Sequence, residues 1–227
     1  MKTILAIYFT YFLKLVISAP TEIETPSISK ADATEITIAK LQLYQNQSLP
    51  GNITENGISG PCKRVTVLFA KGTGEGGNVG DGSSPGPPWF AELRKSMGEE
   101  NVAVQGVPYS ANVIGFLRGG DPEGTEKLLN FTNEAVGKCP NSKIIIGGYS
   151  QGAQLVHNAA KKFSNDSTSK IHAVVLFGDP DLNQTVGAIP SSDILTICHD
   201  GDIICQGLGT VEPHLTYGDD AAKAASF

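Results

Sequence analysis

From residue 62 onward, short runs of apolar residues alternate with longer amphipathic stretches. "RVTVLFA" (64–70), "NVAVQGV" (101–107), "KIIIGGY" (143–149), "HAVVLFG" (172–178) and "DILTICH" (193–199) are rich in Val and Ile. Such runs, apolar at nearly every position rather than at every second one, predict strands buried on both faces, as in a parallel sheet. Between and after them, helical spacing predicts helices over Pro88–Met97, Gly124–Gly137, Gln151–Phe163 and Asp219–Ala225. Strands alternating with helices predict an α/β layered domain: about five parallel strands, doubly wound, sandwiched by helices through right-handed crossovers. The first strand is followed by a long Gly- and Pro-rich loop, "GTGEGGNVGDGSSPGPP" (72–88).

The pattern changes upstream of this domain, which the sequence places at 59–227. Residues 20–58 are rich in Thr, Ser, Glu, Asn and Gln, contain no Cys, and have Tyr44 as their one aromatic residue. This composition predicts a flexible N-terminal extension or pro-segment, with "ATEITIAKLQLY" (33–44) able to form a short amphipathic helix. Residues 1–19 have Lys2, an apolar run from Ile4 to Leu13, and then the small residues Ser18 and Ala19. That is the layout of a secretory signal peptide cleaved near Ser18 or Ala19; Lys14 leaves the run short for a membrane span. The expected location is extracellular, with no membrane association once the signal is removed.

At 227 residues with 40% hydrophobic content the chain can bury one sizeable core. Its formal net charge of -6 and lack of a basic run argue against a nucleic-acid partner. The four cysteines, Cys62, Cys139, Cys198 and Cys205, form an even set in a chain read as secreted, which points to two disulfides. Three pairings exist on paper; the seven-residue spacing of Cys198 and Cys205 suits a local clamp, which leaves Cys62 with Cys139. Zinc is the competing use of cysteine, but no Cys-x-x-Cys or neighbouring His pair supports it. Five Asn-x-Ser/Thr sequons, at Asn46, Asn52, Asn130, Asn165 and Asn183, are compatible with glycosylation during secretion.

In an open parallel sheet, ligands bind beyond the carboxyl ends of the strands, so the residues there are the candidates for chemistry. Gly148-Tyr149-Ser150-Gln151-Gly152 fits G-x-S-x-G at a predicted strand-to-helix junction, where a tight turn holds the serine oxygen out as a nucleophile. The competing reading of Ser150 is a plain helix N-cap. A serine nucleophile needs a histidine to take its proton and a carboxylate to orient that histidine. His157 lies two turns down the following helix and His172 at the amino end of a strand, which leaves His214 as the base and His199 as a polar loop residue. Asp202 is the preferred acid because a Cys198–Cys205 bridge would fix it, with Asp200 as the alternative; Asp179 reads as a turn residue beside Pro180. The N–H of Gln151 and the Thr73 loop supply candidate donors for an oxyanion. Tyr149, Leu208 and Val211 are candidates for the substrate groove. No metal or cofactor is expected.

"AKGTGEGGNVG", "GGYSQGAQL", "CHDGDIIC" and "PHLTYG" occur in this order between Cys62 and Gly218, and together they resemble the fungal cutinases and cutinase-like serine esterases. The resemblance implies a small lidless α/β-hydrolase acting as a monomer with a solvent-open triad of Ser150, Asp202 and His214. It implies the oxyanion pair Thr73 and Gln151, and the bridges Cys62–Cys139 and Cys198–Cys205. The implied activity is hydrolysis of insoluble plant polyester (cutin) and short-to-medium acyl esters. Lys71-Gly72-Thr73-Gly74-Glu75 departs from the usual Arg-Gly-Ser-Thr-Glu, and threonine at this position resembles the related acetylxylan esterases. Polysaccharide deacetylation is therefore the enzymatic alternative. An inactive secreted binding protein or elicitor is the non-enzymatic one.

Overall fold

Five parallel strands form one sheet in the order β2-β1-β3-β4-β5. They are β1 (Val65–Ala70), β2 (Val102–Gly106), β3 (Lys143–Tyr149), β4 (Ile171–Phe177) and β5 (Ile194–Ile197). The structure is a computed structural model and describes residues 53–81 and 84–227. The predicted signal peptide, the 33–44 helix and the sequons Asn46 and Asn52 lie outside the described residues.

Every residue of β1 and β2 is buried, as expected of strands covered on both faces. Alternate side chains feed two cores. Leu68, Ile144, Ile146, Val174 and Leu176 pack on one face against α3 (Pro122–Lys138) and α4 (Gln151–Ala160). Val67, Phe69, Ile145, Val175 and Phe177 pack on the other against α1 (Gly86–Met97) and α7 (Ala221–Ser226). The remaining helices, α2 (Val113–Leu117), α5 (Asn165–Lys170) and α6 (Ile203–Gln206), are short. They are absent from the sequence reading because one turn or so of helix is too brief to show a period. The long helices also differ at their ends. Pro122 starts α3 two residues early, with Asp121 as N-cap accepting from Gly124 N, and α4 stops at Ala160 rather than Phe163. The last predicted helix splits into a 3-10 turn, Tyr217–Asp220, and α7.

The expected domain boundary at residue 58 is also revised. Asn78 and Val79 donate to the carbonyl of Ile53, Glu55 is paired with Arg94 at 2.9 Å, and Ile58 is buried in the core. Residues 53–58 therefore belong to the packed domain. Two disulfides close it. Cys62–Cys139 ties the entry of β1 to the end of α3, and Cys198–Cys205 spans the loop after β5.

The strand order places the site. The chain leaves β1 toward β2 on one side and returns to β3 on the other, so the sheet's topological switch point lies between β1 and β3. The loop carrying Thr73 follows β1 and Ser150 follows β3. The register pairs Ala70 with Gly148 and Tyr149 with Phe177, so the strand ends deliver their loops to one edge.

Candidate active site

Ser150 has φ 55° and ψ -119°, a strained conformation for a residue with a side chain. The turn is held by backbone contacts: Ser150 N donates to Phe177 O and Ala153 N to Ser150 O. Its flanking glycines are required by close approach. A Cβ on Gly152 would lie 1.9 Å from Ala70 O, and one on Gly148 would lie 2.6 Å from Gly152 O. Ser150 makes no side-chain capping bond, so the N-cap reading has no geometric support. Because Gln151 opens α4, its backbone N–H has no acceptor within the helix.

The loop after β1 is brought against this turn. Gln151 Nε2 donates to Thr73 Oγ1 at 2.8 Å and to Asn112 O at 2.9 Å. Behind Thr73 lies Glu75, whose Oε2 accepts from Gly72 N at 2.6 Å. Burial pushes the Glu75 carboxyl up to about 8, aided by the nearby Asp81 charge and opposed by the Gly72 and Ser84 hydrogen bonds and by Lys71. The Lys71 ammonium donates to the carbonyls of Glu75 and Gly77 and so folds the loop back on itself.

Asp202, not Asp200, reaches His214: Asp202 Oδ2 lies 2.8 Å from His214 Nδ1. Asp200 is exposed, and its Oδ1 lies 3.5 Å from Gln206 Nε2. Asp202 also accepts from Tyr217 Oη at 2.6 Å and from Ile204 N at 2.8 Å. Burial alone would raise its carboxyl. The hydrogen bond and charge of His214, with the Tyr217 and Ile204 donors, outweigh that and hold it below the ordinary carboxylate value. His214 Nε2 is buried and has no hydrogen-bond partner among the described residues, so that nitrogen is uncommitted to any structural bond.

Ser150 and His214 share the same neighbours. Tyr149 stacks on the His214 ring, with centroids 5.1 Å apart, and its hydroxyl donates to His214 O at 2.8 Å. Gly178, one residue beyond the acceptor of the Ser150 N–H, leaves room for the imidazole; a Cβ there would lie 2.6 Å from His214 Cε1. The open exposure implied by the resemblance is corrected to a limited one. Ser150 retains 3%, and Asp202 and His214 none.

The groove assignments are revised as well. Tyr149 and Val211 are buried, 5% and 2% exposed. Tyr149 supports His214, whose N–H donates to Val211 O. Leu208 is 79% exposed, on the loop beside the Asp202 turn. Two further apolar side chains, Ile114 and Leu117, are exposed on α2, directly after the Asn112 that holds Gln151.

Three interactions were invisible in the sequence. Tyr217 binds Asp202. His199 bridges Pro213 O at 2.9 Å and Asp220 Oδ2 at 2.6 Å, so it is more than a polar loop residue. His157 lies 2.9 Å from Asp179, both side chains being buried. Burial lowers the His157 imidazole, but the Asp179 hydrogen bond and charge, the Thr185 carbonyl and Asp181 outweigh it and leave it raised. Asp179 does cap its own turn, accepting from Asp181 N, and it also pins α4. "PHLTYG" and the Gly-Asp-Pro after β4 were the only available signals, and neither reveals a partner. Among the described residues no cluster of His, Cys, Asp and Glu could hold a metal, and no helix is long and apolar enough to cross a membrane.

The family model described as Cutinase matches residues 61–227. A cutinase of Blumeria hordei is 56% identical over 217 residues, covering 95% of this chain and 92% of that protein. The solved structure of Trichoderma reesei cutinase in complex with a phosphonate inhibitor is similar with a TM-score of 0.70 at 42% identity, over 86% of this chain and 84% of that one. An acetylxylan esterase structure shares the fold, with a TM-score of 0.59 at 16% identity, over 73% of this chain and 97% of that one. The chain belongs to the cutinase family of carboxylic ester hydrolases.

Proposed function

We propose that this esterase is secreted and cleaves cutin-type polyester and short-to-medium acyl esters through Ser150, His214 and Asp202. The observation that carries the reading is the Asp202–His214 pair, which leaves His214 Nε2 unbonded beside a strained serine turn. His214 takes the proton of the Ser150 hydroxyl as its oxygen forms a bond to the ester carbonyl carbon. The oxyanion is received by donors from Gln151 and Thr73. Collapse breaks the ester C–O bond, and His214 returns the proton to the leaving alcohol. Water, deprotonated by the same histidine, then attacks the acyl-enzyme, releases the carboxylic acid and restores Ser150.

The substrate class is supported by the name of the Blumeria hordei relative and by exposed Ile114, Leu117 and Leu208, which offer apolar contact to an acyl chain. Export is supported by the N-terminal sequence and by the two disulfides. Asn130, Asn165 and Asn183 are exposed and are the proposed glycosylation sites among the described residues. The enzyme acts as a monomer, with no membrane association after export.

The test is a p-nitrophenyl ester series from acetate to palmitate, with release of acids from purified cutin, for wild type and Ser150→Ala. A maximum near butyrate to hexanoate, cutin turnover and an inert variant are expected. A sharp preference for acetate without cutin turnover would replace polyester by acetylated polysaccharide. Turnover by Ser150→Ala equal to wild type would overturn the nucleophile assignment.

A further inference from the structure

His199 touches both the turn that carries Asp202 and the turn that carries His214. It is the residue after Cys198, at the end of β5. Its carbonyl accepts from Asp202 N at 3.1 Å, and its own N–H donates to Tyr217 Oη at 2.9 Å. Its ring lies flat on Tyr217, with centroids 4.1 Å apart and planes 23° apart. Nδ1 faces Pro213 O at 2.9 Å, the carbonyl immediately before His214. Nε2 faces Asp220 Oδ2 at 2.6 Å, the residue that leads into α7. The remaining neighbour, Thr216 Oγ1, is 3.1 Å from Nδ1 and itself donates to Pro213 O. Both ring nitrogens thus lie within hydrogen-bonding distance of oxygen atoms, one on the base turn and one at the start of α7.

The base needs such support. His214 rides on a four-residue 3-10 turn, Glu212–Leu215, joined to an irregular loop. Its backbone is held by Val211 O and Tyr149 Oη, and its ring by Asp202. The carbonyl of the peptide that precedes it, Pro213 O, meets Thr216 and His199. A proton-transfer group displaced by about 1 Å can lose about 100-fold in rate.

From this geometry we infer that His199 and Asp220 form a strut that positions His214. They are positioning residues that hold the base turn at a fixed distance from the acid turn. The strut acts on the chemical step and leaves ester binding to the exposed apolar side chains. The inference rests on the triad reading given above.

The test uses the full secreted chain and p-nitrophenyl butyrate, with active sites counted by stoichiometric phosphonylation of Ser150. His199→Phe keeps the ring on Tyr217 and removes both ring nitrogens. Asp220→Leu removes the acceptor from the other end, and Asp220→Asn keeps an oxygen there. We expect kcat per titrated site to fall about 10-fold in His199→Phe and Asp220→Leu, with KM within about twofold of wild type. The double variant should be no worse than either single one, because one strut is broken once, and Asp220→Asn should retain most of the rate. A purely structural pair would lower the number of titratable sites and the melting temperature at unchanged kcat per site, and that result overturns the proposal. So does a rise in KM at constant kcat. If His199→Phe does not fold, Asp220→Leu, altered at a partly exposed position, carries the same comparison alone. Ser150→Ala in parallel separates the two failures: an active Ser150→Ala sinks the triad, whereas an inert one beside an unchanged Asp220→Leu sinks only the strut.

Discussion

Replacing Tyr217 by Phe isolates one hydrogen bond to the acid. Tyr217 is 1% exposed, and Phe differs only by the hydroxyl, so the ring keeps its contacts with Phe177, Tyr149 and His214 and no large cavity opens. What is lost is the 2.6 Å donor to Asp202 Oδ2 and the acceptor of His199 N. A hydrogen bond to a charged group contributes about 1.5–3 kcal/mol. An orphaned N–H on the half-buried His199 adds about 1 kcal/mol, near the low end for such groups. Urea unfolding at pH 7 should therefore show a loss of about 2.5–4 kcal/mol at an unchanged m-value. The pH dependence follows from Asp202. Its folded carboxyl is depressed below the ordinary 3.8, so the stability it contributes is present above that value and is lost as pH falls through the folded value. The Tyr217 donor is part of that contribution. The gap between wild type and Tyr217→Phe should thus be full at pH 5–7 and narrow as pH falls below about 4. A loss under about 0.5 kcal/mol at pH 7, or a gap that stays constant down to pH 3, would refute the reasoning.

Glu75→Gln keeps an oxygen for Gly72 N but cannot ionise. Because the folded Glu75 carboxyl is raised from 4.5 to about 8, its neutral form contributes stability below 4.5 that is lost as pH rises through about 8. The melting temperature of the variant relative to wild type should therefore climb from pH 5 to pH 9; a difference independent of pH would count against the buried acid. The two disulfides should separate stability from activity. Opening Cys62–Cys139, separated by 77 residues, should cost about 4.5 kcal/mol, and opening Cys198–Cys205, separated by 7, about 2.5 kcal/mol. The second should nonetheless reduce kcat more, since it loosens the Asp202 turn; equal kcat losses at matched folded fractions would contradict that.

Much of the architecture was written in local pattern. Runs such as "KIIIGGY" are apolar at consecutive positions, which only a doubly covered strand requires, and all five became strands of one parallel sheet. Pro122 at the start of α3 and the one-turn helices α2, α5 and α6 were not legible, because a few residues carry no period and their caps depend on neighbours. The flexible reading of residues 53–58 failed for a related reason. Ile53, Glu55 and Ile58 gain order from Asn78, Arg94 and the core, which lie far along the chain.

The sequence by itself determined that a serine stands at a strand-to-helix turn, that its candidate partners follow as Asp200 or Asp202 and then His214, and that the four cysteines form an even set. These are properties of residue type and spacing, fixed along the chain. Only the tertiary structure decided between Asp202 and Asp200, which are two residues apart and chemically identical, because the choice depends on which carboxylate faces His214. It alone turned Tyr149 from a groove candidate into a support for the base, and His199 from a loop residue into a bridge. Hydrogen bonds act over about 3 Å in space, and spacing along a chain carries no record of them until the sheet brings its loops to one edge.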